Sequence, residues 1–296
     1  MHRTLYIVGN GFDLFHGLAT SFSDFKGHVS ERAVDVYRAV DRYIDVKDNW
    51  SDLEASLSTF DTDSVIQDLG HFAASYGSDD WSDSGHYDFQ YEVENVISAL
   101  SGQMLKALGN WIIELPVSFV LPRLSCLSHD ALYLTFNYTD TLECTYSIPS
   151  RNVLHIHGQA GVDGSELVLG HAWAAAERAP LNDSRLVEDQ DPRSTEVNEL
   201  LEEYFYRTFK DSQRIIDDFQ PTFAALEGVR EVIVLGHSLG QVDWPYFSEL
   251  LKRKNILEAQ WIVACRSREE ATEKSEVLNY LGVPERNLRT LSWCRL

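Results

Sequence analysis

Residues 4–25, TLYIVGNGFDLFHGLATSFSDF, begin with an apolar run that stops at Gly-Asn-Gly. Leu5, Tyr6, Ile7 and Val8 have the unbroken hydrophobicity of a strand covered on both faces, as strands of parallel sheets are. Gly9 and Gly11 then let the backbone turn tightly and approach another group closely, which a Cβ would prevent. In open α/β sheets, ligands lie beyond the carboxyl ends of the strands, where exposed N–H groups can receive a phosphate. The full dinucleotide fingerprint G-x-G-x-x-G is not present, because Leu14 stands where its third glycine belongs.

Working outward, further apolar runs at 131–136 (ALYLTF), 152–156 (NVLHI), 231–235 (EVIVL), 259–265 (AQWIVAC) and 288–293 read as strands. The runs ending at 8, 136 and 235 are followed by Gly-Asn-Gly, Asn-Tyr-Thr-Asp and Gly-His-Ser-Leu-Gly. Chemistry-bearing residues at strand ends are what an α/β ligand crevice requires. Apolar positions spaced by three and four predict helices over 30–47, 88–115, 195–227, 244–254 and 269–281. The expected fold is therefore α/β and Rossmann-like, with a mostly parallel sheet and a large helical insertion or cap. Residues 1–25 with 131–296 form the expected nucleotide-binding core, and 26–130 the insertion. Polar stretches at 75–88 and 174–195 read as loops.

A chain of 296 residues, 44% hydrophobic, can bury a large core. Its 46 acidic against 25 basic residues give a net charge of −21, which repels nucleic-acid backbones and anionic lipid. A small nucleotide pocket stays open to it, since local donors can outweigh a global field. Cys126, Cys144, Cys265 and Cys294 form no C-x-x-C pair, which disfavours a zinc ribbon and a disulfide framework. No apolar run reaches the ~20 residues of a membrane span. The chain starts in a strand without a cationic leader, so a soluble, cytoplasmic protein is expected, with oligomer formation left open.

Several side chains invite chemistry. His155 and His157 flank Ile156, so on a strand both rings share one face, and with His171 they form a candidate imidazole metal set. No carboxylate or thiol sits at a supporting spacing, so no metal is expected, and a metal-dependent nuclease or phosphohydrolase is the weakest alternative. Gly236-His237-Ser238-Leu239-Gly240 matches the nucleophile elbow G-x-S-x-G, yet no histidine follows His237 to serve as its base. The same turn, with Ser238 facing a phosphate or ribose, is the better reading. Asp243 either accepts from a ribose hydroxyl or caps the helix that begins at Trp244. Trp50, Asp52 and Glu54 either line the crevice or place a core tryptophan beside acids favoured at a helix N-terminus. Asn137 either satisfies its own turn or places a water.

Taken together, GNGFDLFHGLATSFSDF, TFNYTDTLE, VLHIHG and LGHSLGQVDWPYF, with WSDLE at 50–54 and LGH at 169–171, resemble the AbiH family of bacterial phage abortive-infection proteins. That resemblance runs from residue 5 to about 250 and implies a role in anti-phage defence. A more distant likeness is to sirtuin-like (SIR2-like) NAD-binding domains, with their G-A-G-x-S, G-I-P-x-F, T-Q-N-x-D-x-L-E, H-G and G-T-S-L-x-V motifs. It implies that Gly9, Asn10, Gly11, Asp13, Asp140, Gly236, Ser238 and Asp243 surround NAD, that Asn137 lies near the nicotinamide ribose, and that His157 acts as base. Asp13 replaces a serine of that pattern, Thr139 is an extra residue before Asp140, and the cysteine zinc module is missing. What the likeness implies is NAD binding and hydrolysis rather than lysine deacylation. The expected partners are a small-molecule nucleotide and a phage trigger or neighbouring protein. The alternative is a nucleotide-binding sensor or interaction module without catalysis.

Overall fold

Alternate residues of each apolar run face opposite sides of one sheet, and both sides are covered. Its strands are β1 (Thr4–Val8), β2 (Leu132–Thr135), β3 (Val153–His155), β4 (Glu231–Leu235), β5 (Gln260–Cys265) and β6 (Leu288–Ser292). The computed structural model describes residues 3–72, 88–125, 127–173, 178–182 and 192–295. Strand order is β3-β2-β1-β4-β5-β6 and all five pairings are parallel, so the fold is a Rossmann-like α/β sheet. Leu5, Ile7, Leu134, Val232 and Val234 pack into one apolar cluster, and Tyr6, Val8, Tyr133, Ile233 and Leu235 into the other. Ile7, Val8, Val232, Val234 and Leu235 have no exposed surface. Each such burial is worth about 1.5–3 kcal/mol, so the middle of the sheet anchors the loops at its ends.

The chain forms two compact units. The first, residues 1–21, 109–168 and 211–296, holds the sheet and is called the core unit below. The second comprises residues 22–108 and 169–210 and is helical. In the helical unit Trp50 is fully buried against Phe25 and Tyr37, and Tyr204 donates to the Leu57 carbonyl at 2.8 Å.

Several helices are shorter than the periodicity predicts. The pattern over 30–47 is two helices, Phe22–Arg32 and Val34–Tyr43, broken at Ala33, whose backbone leaves the helical region (φ −142°, ψ 61°). Apolar spacing continues across that break, which is why it left no mark. The run 195–227 becomes Pro192–Arg207, Ser212–Asp218 and Gln220–Ala224. Here Phe209 is drawn into a bridge with His171, Asp211 caps the next helix, and Pro221 starts the last. The helix at 244 ends at Leu251 rather than 254. The loops expected at 75–88 and 174–195 fall mostly outside the described residues. Among the described residues, no helix is long and apolar enough to cross a membrane.

Candidate functional site

In the core unit, the turns after β1 and β4 meet where the strand order reverses, the place where doubly wound sheets put their ligands. Gly9 N–H donates to the Leu235 carbonyl at 2.9 Å and Gly11 N–H to the Gly236 carbonyl at 2.8 Å. A Cβ on Gly9 would lie 2.5 Å from His237 Cα, and one on Gly11 2.7 Å from the Gly236 oxygen. Gly236 itself has φ +69°. These glycines thus let two turns pack backbone to backbone. In the β1 turn the N–H groups of Gly9 and Gly11 are therefore used inside the fold, as is that of Phe12, which donates to the Gly9 carbonyl at 2.9 Å. Asn10 is likewise occupied, its side-chain amide donating to the Thr20 carbonyl at 2.7 Å.

Beside those turns stands a buried set of three side chains, His237, Asp243 and His157, with 2%, 6% and 3% of their surface exposed. Leu239 N–H donates to His237 Nδ1 at 2.9 Å. That bond makes Nδ1 an acceptor and assigns the proton of the neutral ring to Nε2. His237 Nε2 lies 3.3 Å from Asp243 Oδ2, and Asp243 Oδ1 lies 3.7 Å from His157 Nε2. Phe136, in the first position after β2, stands edge-on to both imidazoles, with centroids 4.2 Å from His237 and 5.0 Å from His157. Of the two roles open to Asp243, the helix cap is not made, since its side chain forms no cap hydrogen bond at Trp244–Leu251 and lies toward the imidazoles. His157 is fixed through its backbone: Val168 N–H donates to its carbonyl at 2.9 Å, and Tyr138 Oη donates to the Val168 carbonyl at 2.7 Å.

A second buried polar group surrounds Asp13, which has no exposed surface. Thr139 donates its hydroxyl to Asp13 Oδ2 at 2.6 Å, and Thr141 donates to Thr139 at 3.0 Å. Burial pushes the Asp13 carboxyl from 3.8 up to about 6, against the opposing pull of Thr139, Thr141 and Asn137. Asn137 is 7% exposed, and its N–H donates to Thr135 Oγ1 at 3.1 Å. Asp140 is half-buried and receives the Cys144 thiol at 2.9 Å. Ser238 is exposed, with its hydroxyl oxygen accepting from Gly240 N–H at 3.3 Å.

The shared face expected for His155 and His157 is not formed, since β3 ends at His155 and His157 lies in the turn beyond. His155 instead faces the Asn137 carbonyl at 3.1 Å and Glu143 at 3.0 Å. His171 belongs to the helical unit, where its ring is buried among Trp173, Phe205 and Phe209. Burial lowers its pKa below the usual histidine value. His157 and Asp243 are of metal-ligating type, but catalytic zinc sites use three protein ligands, and no described residue of the core unit adds a third.

A family model for bacteriophage abortive infection AbiH matches residues 5–265. The chain belongs to the AbiH family. No curated protein and no solved structure matches it. Membership gives it a role in phage abortive infection, and the matched span contains every residue of both buried polar groups. In this AbiH chain the WSDLE run serves the helical unit: Trp50 is core, Asp52 accepts from Lys47 N–H at 2.9 Å, and Glu54 pairs with the buried Lys210 at 2.7 Å.

Sequence reasoning passed over His237, Phe136 and Thr141, and read Thr139 only as an insertion. The signal for His237 was present in Gly-His-Ser-Leu-Gly, followed by Asp243, but the nucleophile-elbow pattern drew notice to Ser238. Thr139 lies in the bend after β2 and Thr141 begins the helix Thr141–Tyr146, so no strand alternation announces that their hydroxyls meet.

Proposed function

We propose that this AbiH chain, in the cytoplasm, binds NAD and hydrolyses its nicotinamide–ribose bond in response to a phage trigger or a partner protein. The observation that carries this reading is the His157–Asp243 pair, 3.7 Å apart and beside the meeting turns of β1 and β4. Asp243 orients the imidazole, and His157 takes the proton of an attacking water. That water adds at C1′ of the ribose while the bond to nicotinamide breaks and its electrons leave with the base. ADP-ribose and nicotinamide result. Asn137 is assigned the placement of the water, and exposed Ser238 a ribose or phosphate oxygen. Gly9, Gly11 and Gly236 shape the crevice, since the N–H groups of Gly9 and Gly11 are used between the two turns. No step calls for a metal.

Purified chain incubated with NAD, with and without lysate of phage-infected cells, should release nicotinamide. General base catalysis is worth ~10²–10⁴-fold, so His157→Ala should lower the rate by that factor without lowering the unfolding midpoint by much. No nicotinamide under either condition would overturn the enzymatic reading. One observation favours a second reading, a nucleotide sensor without turnover: the three side chains expose only 2–6% of their surface. Saturable binding of NAD with no product is the outcome that would select it.

A further inference from the structure

We infer that His237 is a positioning residue, whose Nε2–H holds Asp243 so that its other carboxylate oxygen faces His157. The inference rests on the reading of His157 as base, and it names the group that sets that base in place. A carboxylate on a single χ2 torsion can present either oxygen in many directions, and one directed donor removes that freedom. His237 Nε2 is the ring nitrogen left for that role and stands 3.3 Å from Oδ2, while Oδ1 lies 3.7 Å from His157 Nε2.

An ordinary core histidine would not need the arrangement found on its other nitrogen. Nδ1 receives the N–H of Leu239, a residue with φ +60°. Left-handed backbone is disfavoured for a residue with a Cβ, so the surroundings must hold it there. They do so from both sides: the Leu239 side chain is 2% exposed, and Trp244 Nε1–H donates to the Leu239 carbonyl at 2.9 Å. The turn thereby aims one N–H at Nδ1 and fixes which nitrogen of the ring carries the proton. Phe136 at 4.2 Å and Phe247 at 5.2 Å wall the ring in, so it cannot flip to the other tautomer's geometry without moving the core.

Two substitutions separate the contacts of the two ring nitrogens. His237→Asn keeps an acceptor near the Leu239 N–H but does not reach Asp243. His237→Gln places an amide donor close to where Nε2 stands and so restores the contact with Asp243. Orienting partners of this kind are worth roughly 10–100-fold, so the Asn variant should lose that factor in kcat, with KM for NAD and binding of ADP-ribose unchanged. The Gln variant should recover most of the loss. Equal loss in both variants, or a loss confined to KM, overturns the inference. Ring-nitrogen NMR of histidine-labelled protein gives a readout that does not need turnover. The wild-type His237 should show an unprotonated Nδ1 and a protonated Nε2, and His157 ring shifts should change in the Asn variant but not in the Gln variant. A protonated Nδ1 on His237, or unaltered His157 shifts in the Asn variant, defeats the inference even if NAD proves not to be the substrate. If wild type releases no nicotinamide while the NMR pattern holds, the positioning role stands and only the NAD reading fails.

Discussion

Asp13 and Asp243 follow β1 and β4, stand near the same edge of one sheet, and are 0% and 6% exposed, yet the fold treats them in opposite ways. Asp243 meets two imidazoles, at 3.3 and 3.7 Å. Asp13 meets hydroxyls and an amide, and the charge acting on it is that of another acid, Asp140. Hydroxyl donors offset only part of the desolvation of a carboxylate, so its pKa climbs to about 6. Burial alone therefore does not say what an aspartate does. The company it keeps separates a carboxylate set between two imidazoles from one that holds a proton near neutrality.

The harshest way to break this comparison is to part the two turns that support both aspartates. Gly236 has φ +69°, and a Cβ there would collide with the backbone of Gly11 and Phe12. Gly236→Ala should cost more than about 4 kcal/mol, the range reached when backbone strain and overpacking coincide. Urea unfolding, or loss of soluble yield, reads that cost. A midpoint close to wild type would mean the turns are free to separate.

Next in size comes the pH dependence that Asp13 imposes. Its carboxyl titrates near 6 in the folded chain against 3.8 ordinarily, so the folded state keeps a proton that the unfolded state has released between those values. The stability this confers is fully present below pH 3.8 and is lost as pH rises through 6. At 1.36 kcal/mol per pH unit the swing is about 3 kcal/mol. Asp13→Asn, which mimics the neutral carboxyl, should remove it. Urea midpoints of wild type and variant, compared at pH 4 and pH 7.5, should converge at the acid end and favour the variant at the neutral end. Parallel curves would contradict the shifted pKa.

The sheet was legible because burial on both faces writes continuous apolar runs, and β1 and β4 fall on the residues read as strands, with the others within two residues at each end. The glycines were legible as turns, but their purpose was not. A glycine needed for a ligand and one needed for a second turn look alike until Gly236 is found against Gly11. The break at Ala33 and the grouping of 169–210 with residues 22–108 have no local marker, and the grouping is made by long-range contacts such as Tyr204 to Leu57. His157 and Asp243 were named one by one from their motifs. That they meet, and that His237 joins them, is a property of the assembled sheet edge.

Removing hydroxyls around Asp13 sharpens the comparison in smaller steps. Thr139→Val deletes the donor at 2.6 Å while keeping the side chain's shape. A hydrogen bond to a charged group contributes about 1.5–3 kcal/mol, so the loss should be that large at pH 7.5, where Asp13 is ionised, and nearer 1 kcal/mol at pH 4.5. The acid limb of the stability curve should move upward in pH, because the bond that favours the charged form has gone. Thr141→Val acts one link further out, since its hydroxyl donates to Thr139 at 3.0 Å. It should lower stability by about 0.5–1 kcal/mol and move the same limb in the same direction by less. If Thr141→Val instead matches Thr139→Val, the two hydroxyls bind the carboxyl as equals and the chain from Thr141 through Thr139 is not the path by which Asp13 is held. If neither moves the limb, Asp13 is not the group that titrates, and the contrast with Asp243 has to be sought in packing rather than charge.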